Sequence, residues 1–155
     1  MKLKEIVQNV AQDYGLDPDL VLAVIQIESG GKSWACRYEP GWNYFKDVSK
    51  WAKELSQSEE TEKVQQATSW GAMQVMGTVA RELGFKGYLS QLCISEAGIR
   101  CGCMKLQTLF KRFENQDDAI SAYNQGNNRK SPAGKYMNQS YVDKINAALK
   151  VIKGN

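Results

Sequence analysis

The segment that most constrains this chain is Leu20-Val21-Leu22-Ala23-Val24-Ile25-Gln26-Ile27, in which Gln26 is the only polar residue. Asp17-Pro18-Asp19 precedes it and Glu28-Ser29-Gly30-Gly31 follows it. Asp17 can cap a helix, Pro18 suits the first turn, and Asp19 meets the positive end of the helix dipole. The two glycines can then end it. A helix that is apolar on nearly every side has to be wrapped by other elements, so the fold is built around this segment. With 155 residues, of which 43% are hydrophobic and 24% charged, the chain can bury one core of ordinary size.

The wrapping elements also read as helices. Leu3, Ile6, Val7, Val10, Ala11 and Tyr14 recur at helical spacing up to Gly15. Further helices are expected near Trp70–Met76 and Thr78–Leu83. A longer one starts at Ser95 and carries Ile99, Cys103, Leu106, Leu109, Phe110 and Phe113 on one side. Asp117–Gln125 reads as a short buried helix stopped by Gly126, and the last helix shows Val142, Ile145, Leu149 and Ile152 on one face. Between these, 32–51 is aromatic and rich in turn formers, a loop passing into a short helix. The polar run 56–68 reads as a solvated helix or insertion with its charges toward water. Asn127–Gln139 reads as loop. No alternating strand pattern and no internal repeat is visible. The expected fold is mainly α, a single domain over 1–155 with an insertion at about 32–68.

Several function classes drop out on composition. The chain has no histidine, so Ser-His-Asp and Cys-His nucleophile systems and His-bearing zinc sites are excluded. Acid–base work must then fall to a carboxyl, Lys, Tyr or Cys with a shifted pKa. A net charge of +3 is too mild for a nucleic-acid surface, although it favours approach to an anionic polymer. No apolar run reaches the ~18 residues of a membrane span. Four cysteines occur, Cys36, Cys93, Cys101 and Cys103. Cys101 and Cys103 stand two apart in a helical pattern and point in different directions. All four are read as buried small hydrophobes rather than bridges or metal ligands. No metal and no cofactor is expected.

Glu28 is the residue with chemical promise. Val21, Val24, Ile25 and Glu28 share one stripe of the apolar helix, so the carboxyl is expected to extend a buried face. Desolvation and the negative end of the helix dipole would both raise its pKa. A carboxylic acid kept protonated near neutral pH can donate a proton to a glycosidic oxygen. The plain alternative is a helix-terminal glutamate turned to solvent.

Glu28-Ser29-Gly30-Gly31 after a buried helix resembles the first motif of the soluble-type lytic transglycosylases, relatives of goose-type lysozyme. Gly71-Ala72-Met73-Gln74 is similar to their second motif, Ala122-Tyr123-Asn124-Gln125-Gly126 to the third, and Tyr141-Val142 to a fourth element. The resemblance runs from Leu16 to about Ile152. It implies a lysozyme-like domain with a glycan-binding cleft and room for a small hairpin or loop insertion. It also implies cleavage of the bond between N-acetylmuramic acid and N-acetylglucosamine in bacterial peptidoglycan, leaving 1,6-anhydro ends. On the matched positions, Glu28 would be general acid and then general base. Ser29 would position the sugar or Glu28, and Met73 and Gln74 would line the cleft. Tyr123 and Asn124 would contact the sugar beside the cut, and Tyr141 would orient Glu28.

The chain departs from the pattern in three places. Ala72 stands for the usual Leu, Gln125 for the usual Ala, and 43 positions separate Glu28 from Gly71, about twice the usual gap. The extra residues suggest an elaborated wall on the cleft, in which Trp34, Trp42 and Tyr44 could stack on sugars or form a satellite hydrophobic cluster. Two rival functions follow. A hydrolytic muramidase would need a second carboxylate, for which Glu39 and Asp47 are the candidates. A non-catalytic wall-binding or virion-assembly module would have no use for Glu28. A zinc module on the four cysteines is a weaker third idea. The expected partner is the glycan strand, met by a monomer or by a module of a larger assembly. The start Lys2-Leu3-Lys4-Glu5 runs into an amphipathic pattern and not into a secretory leader. Delivery to the wall would therefore fall to lysis, a virion, a secretion machine or a leader already removed.

Overall fold

The computed structural model describes residues 2–154, and Met1 and Asn155, the outermost residues of the expected domain, lie outside it. In chain order the elements are α1 (Leu3–Asp13), α2 (Pro18–Ser29), β1 (Cys36–Tyr38), α3 (Val48–Glu54), α4 (Glu59–Gln66), β2 (Thr68–Trp70), β3 (Val75–Met76), α5 (Gly77–Glu82), a 3-10 turn (Leu89–Cys93), α6 (Ser95–Arg112), α7 (Gln116–Gln125) and α8 (Gln139–Lys153). The protein is mainly α, as the sequence predicts. The chain divides into two compact units, one made of residues 2–27 and 103–154, the other of Glu28–Gly102.

The first unit is all helix. The Asp19 N–H donates to Asp17 Oδ1 at 2.9 Å, so Asp17 caps α2. Asn115, rather than a residue at Asp117, caps α7, accepting from the N–H groups of Asp117 and Asp118 at 2.8 and 3.2 Å. Val21, Val24 and Ile25 of α2 and Val142 and Ile145 of α8 are buried, each contributing roughly 1.5–3 kcal/mol of apolar burial. Lys153 Nζ meets Asp17 Oδ2 at 2.7 Å, tying the last turn of α8 to the start of α2.

The segment expected as plain loop after Gly126 is organised. Lys130 and Tyr136 form an antiparallel bridge, and the Tyr136 hydroxyl donates to Asp118 Oδ1 at 2.5 Å. That bond, more than any other contact, holds the Asp118 carboxyl below its ordinary range. Burial first, and then the Asp118 carboxylate, push the Tyr136 phenol well above its own.

The second unit carries a small antiparallel sheet in the order β1-β2-β3. Cys36, Arg37 and Tyr38 face Trp70, Ser69 and Thr68, while Ser69 and Trp70 face Met76 and Val75. Trp70–Met76, expected as a helix, is therefore a hairpin. Its turn puts Gly71 at φ 77° and Gln74 at φ 49°, and two left-handed residues cannot continue a right-handed helix. Glycine is needed at 71 for a second reason, since a Cβ there would lie 2.2 Å from the Leu92 carbonyl oxygen.

The polar run 56–68 also differs from expectation, because α4 turns Glu62 and Gln66 inward to zero exposure. Glu62 accepts from Arg81 Nε at 2.8 Å and Nη2 at 3.0 Å, from Gln57 Nε2 at 2.6 Å and from Gln66 Nε2 at 2.8 Å. Arg81 Nη1 donates to the carbonyls of Phe85 and Gly87 at 2.9 and 2.8 Å, and its guanidinium lies 4.4 Å from the Trp51 ring centre. Buried charges are tolerable only when paired and bonded this fully. The network joins α4 to α5 on either side of the hairpin in sequence. The cysteines divide as well. Cys101 and Cys103 are buried as expected, but Cys36 is exposed and Cys93 half-buried, since a three-residue outer strand has no cover for the first.

Candidate active site

Glu28 and Ser29 form the last turn of α2, both half-buried, just before Gly30 takes a left-handed conformation. The Ser29 hydroxyl donates to the Ala72 carbonyl at 2.7 Å. The first motif is thereby tied directly to the hairpin turn that bears the second. Within that turn the left-handed backbone folds the Gln74 amide back on itself. Its Nε2 donates to the carbonyls of Ala35 and Gly71 at 3.0 and 2.9 Å, and its Oε1 accepts from Ser69 Oγ at 3.2 Å. Both amide hydrogens are thus used internally, and Oε1 keeps one lone pair for a ligand. Met73 is wholly buried. It packs where Gly102 leaves space, since a Cβ at 102 would stand 2.3 Å from its sulfur.

The same unit holds the inserted residues. Glu39 pairs with Arg37 at 3.0 Å, and Asp47 is an exposed residue at the head of α3. Trp34 and Tyr44 are 71% and 70% exposed, so they do not form a buried satellite cluster. Trp42 is fixed between them in sequence by Nε1–H bonds to the Tyr44 carbonyl at 2.7 Å and to Thr78 Oγ1 at 3.0 Å. Its ring meets that of Tyr44 edge-on at 5.5 Å.

Tyr123, Asn124 and Tyr141 belong to the other unit. Tyr123 is buried in α7, with Lys105 Nζ donating to its carbonyl at 2.7 Å and lying 4.0 Å from its ring centre. Asn124 is exposed, and its Oδ1 accepts from Asn138 Nδ2 at 3.0 Å. Gln125, where the motif departs from the usual Ala, donates to Ser121 Oγ and to the Asn127 carbonyl, both at 3.0 Å. Tyr141 is half-buried in the first turn of α8.

The stretch of chain that carries these elements is matched by a known family. The family described as Transglycosylase SLT domain aligns with residues 5–146. This chain belongs to that family. Transglycosylase SLT domains are peptidoglycan-directed, with cleavage of the lytic-transglycosylase type, so cell-wall glycan is the substrate class. No curated protein and no solved structure matches the chain. Among the described residues of this SLT domain no helix is long and apolar enough to cross a membrane. Nor does any group of three or more His, Cys, Asp or Glu side chains there stand close enough to hold a metal ion.

Sequence reasoning missed the partners that shape the second motif. The Ala35 carbonyl and Ser69 hydroxyl fix Gln74, and nothing in the residue types of Ala35 or Ser69 announces it. Glu62 and Arg81 were likewise hidden, because a charge in a polar run carries no sign of which partner nineteen residues away will face it.

Proposed function

We propose that this domain cuts the β-1,4 bond between N-acetylmuramic acid and N-acetylglucosamine by transglycosylation, as one domain whose inserted segment 32–68 extends the glycan-binding surface. Glu28 protonates the leaving glycosidic oxygen. The acetamido group of the muramic acid sugar stabilises the charge that develops at its C1. Glu28, now a carboxylate, takes the proton from the 6-hydroxyl of the same sugar, whose oxygen attacks C1 and closes the 1,6-anhydro ring. The attacking group is held within the substrate, so no water has to be positioned. One carboxyl thus serves as acid and as base.

The observation that carries this reading is the Ser29–Ala72 hydrogen bond, which fixes the residue beside Glu28 to the second motif. Met73, Gln74, Tyr123, Asn124 and Tyr141 are proposed as substrate-shaping or substrate-contacting residues on the motif match. For Met73 the contribution is support from below, given its burial. Hydrolysis is the less favoured route, because the motif match supplies one carboxyl, Glu28, and no second carboxylate beside it. Trp34 and Tyr44 are proposed to add stacking surface for sugar rings. Mass spectrometry of digested peptidoglycan tests the reaction. Anhydromuramic ends are expected, and muropeptides with only reducing ends would establish a muramidase instead.

A further inference from the structure

We propose that Cys36 and Cys93 join in a disulfide when the protein enters an oxidising compartment, stapling β1 to the 3-10 turn beside the second motif. Gly71 brings the two together. Its N–H donates to the Ala35 carbonyl at 2.8 Å, and a Cβ placed on it would lie 2.2 Å from the Leu92 oxygen and 3.2 Å from the Leu92 carbonyl carbon. Ala35 and Leu92 therefore approach one glycine from two directions, and Cys36 and Cys93 are the residues that follow them. The strand register agrees, for Cys36 faces Trp70, the residue before Gly71. The thiols also sense one another. Burial raises the Cys93 pKa, the Cys36 sulfur raises it further, and the Gly71 N–H acts against both. Both thiols are free, Cys36 exposed and Cys93 half-buried.

That asymmetry sets the order of events. The exposed Cys36 thiolate attacks a disulfide oxidant such as oxidised glutathione, forming a mixed disulfide and releasing one thiol of the oxidant. Cys93 then loses its proton and attacks the Cys36 sulfur, and the second oxidant thiol leaves. Two protein thiols have given up two electrons and two protons, and one oxidant disulfide has become two thiols. The closed loop encloses α3, α4, the hairpin and α5, so the bridge narrows the unfolded ensemble of the segment that carries Gly71–Gln74. The reduced chain would be the form inside a reducing cell, and the bridged chain the form at the wall.

The protein is incubated with oxidised glutathione, alkylated after denaturation and mapped by mass spectrometry. The expected result is a protein about 2 Da lighter with a single 36–93 cross-link, melting about 10 °C higher than the reduced form. The cross-link and the shift should both vanish in Cys36→Ser and in Cys93→Ser, and dithiothreitol should reverse them in the wild type. Full alkylation of Cys36 and Cys93 after oxidant treatment would overturn the proposal, as would disulfide-linked dimers or a bridge to Cys101 or Cys103.

Discussion

Replacing Glu62 with alanine tests whether the buried ion pair holds the inserted segment in place. Glu62 and Arg81 side chains have no exposure, and the substitution removes four acceptor contacts at once. Arg81 keeps the carbonyls of Phe85 and Gly87 and the face of Trp51, but its Nε and Nη2 hydrogens lose their partner in a dry site. Removing one member of a buried pair costs about 3–5 kcal/mol. For a chain of this length each kcal/mol moves the melting temperature by about 2–4 °C, so Glu62→Ala should lower it by roughly 10 °C. Arg81→Met should cost a similar amount, because it strands the carboxylate. The double variant should cost clearly less than the two losses added, by at least about 1 kcal/mol, since neither charge is then left alone. Thermal denaturation followed by circular dichroism reads all three. A Glu62→Ala protein melting within about 2 °C of wild type, or strict additivity in the cycle, would refute the reasoning.

Two further perturbations probe the supports of the site. Gly102→Ala drives a methyl group into the Met73 sulfur, 2.3 Å away in the native geometry, and should cost about 1–3 kcal/mol by overpacking; a calorimetric melt unchanged from wild type would count against that packing. Tyr136 and Asp118 should make stability depend on pH at both ends. Asp118 is depressed below 3.8, so its contribution is present above that value and lost as pH falls through the folded pKa. Tyr136 is raised above 10.0, so its contribution is complete below that value and lost as pH climbs beyond it. Urea midpoints measured against pH should fall above pH 10.0 in wild type, and Tyr136→Phe should weaken that alkaline dependence, leaving the part owed to the Lys153–Asp17 pair.

The helical frame was legible because its signals are local. Asp17 and Gly126 mark helix ends through contacts within a turn or two of their own positions, and the buried stripe of Val21, Val24 and Ile25 follows from spacing alone. The small sheet was not, since strands of three, three and two residues are too short to show an alternation. Ala72, Met73 and Gln74 are good helix formers, so local propensity pointed to helix across Trp70–Met76. The contact of Gly71 with Leu92 and the bonds of Gln74 to Ala35 and Ser69 override it. Motif order made Glu28, Ser29 and the Gly71–Gln74 turn readable as candidates, whereas their mutual support is tertiary. The Ser29–Ala72 bond joins residues 43 positions apart, and no pattern in either segment records the length of the insertion between them.

The most direct test sets Glu28→Gln beside wild type on a suspension of purified peptidoglycan, with melting temperature as the control for folding. Loss of a single acid–base group should slow clearing by at least about 100-fold while the melt stays within a few degrees. Glu39→Gln should clear at the wild-type rate. Clearing by Glu28→Gln at a rate equal to wild type, from a folded protein, would contradict the assignment of the catalytic proton to this residue.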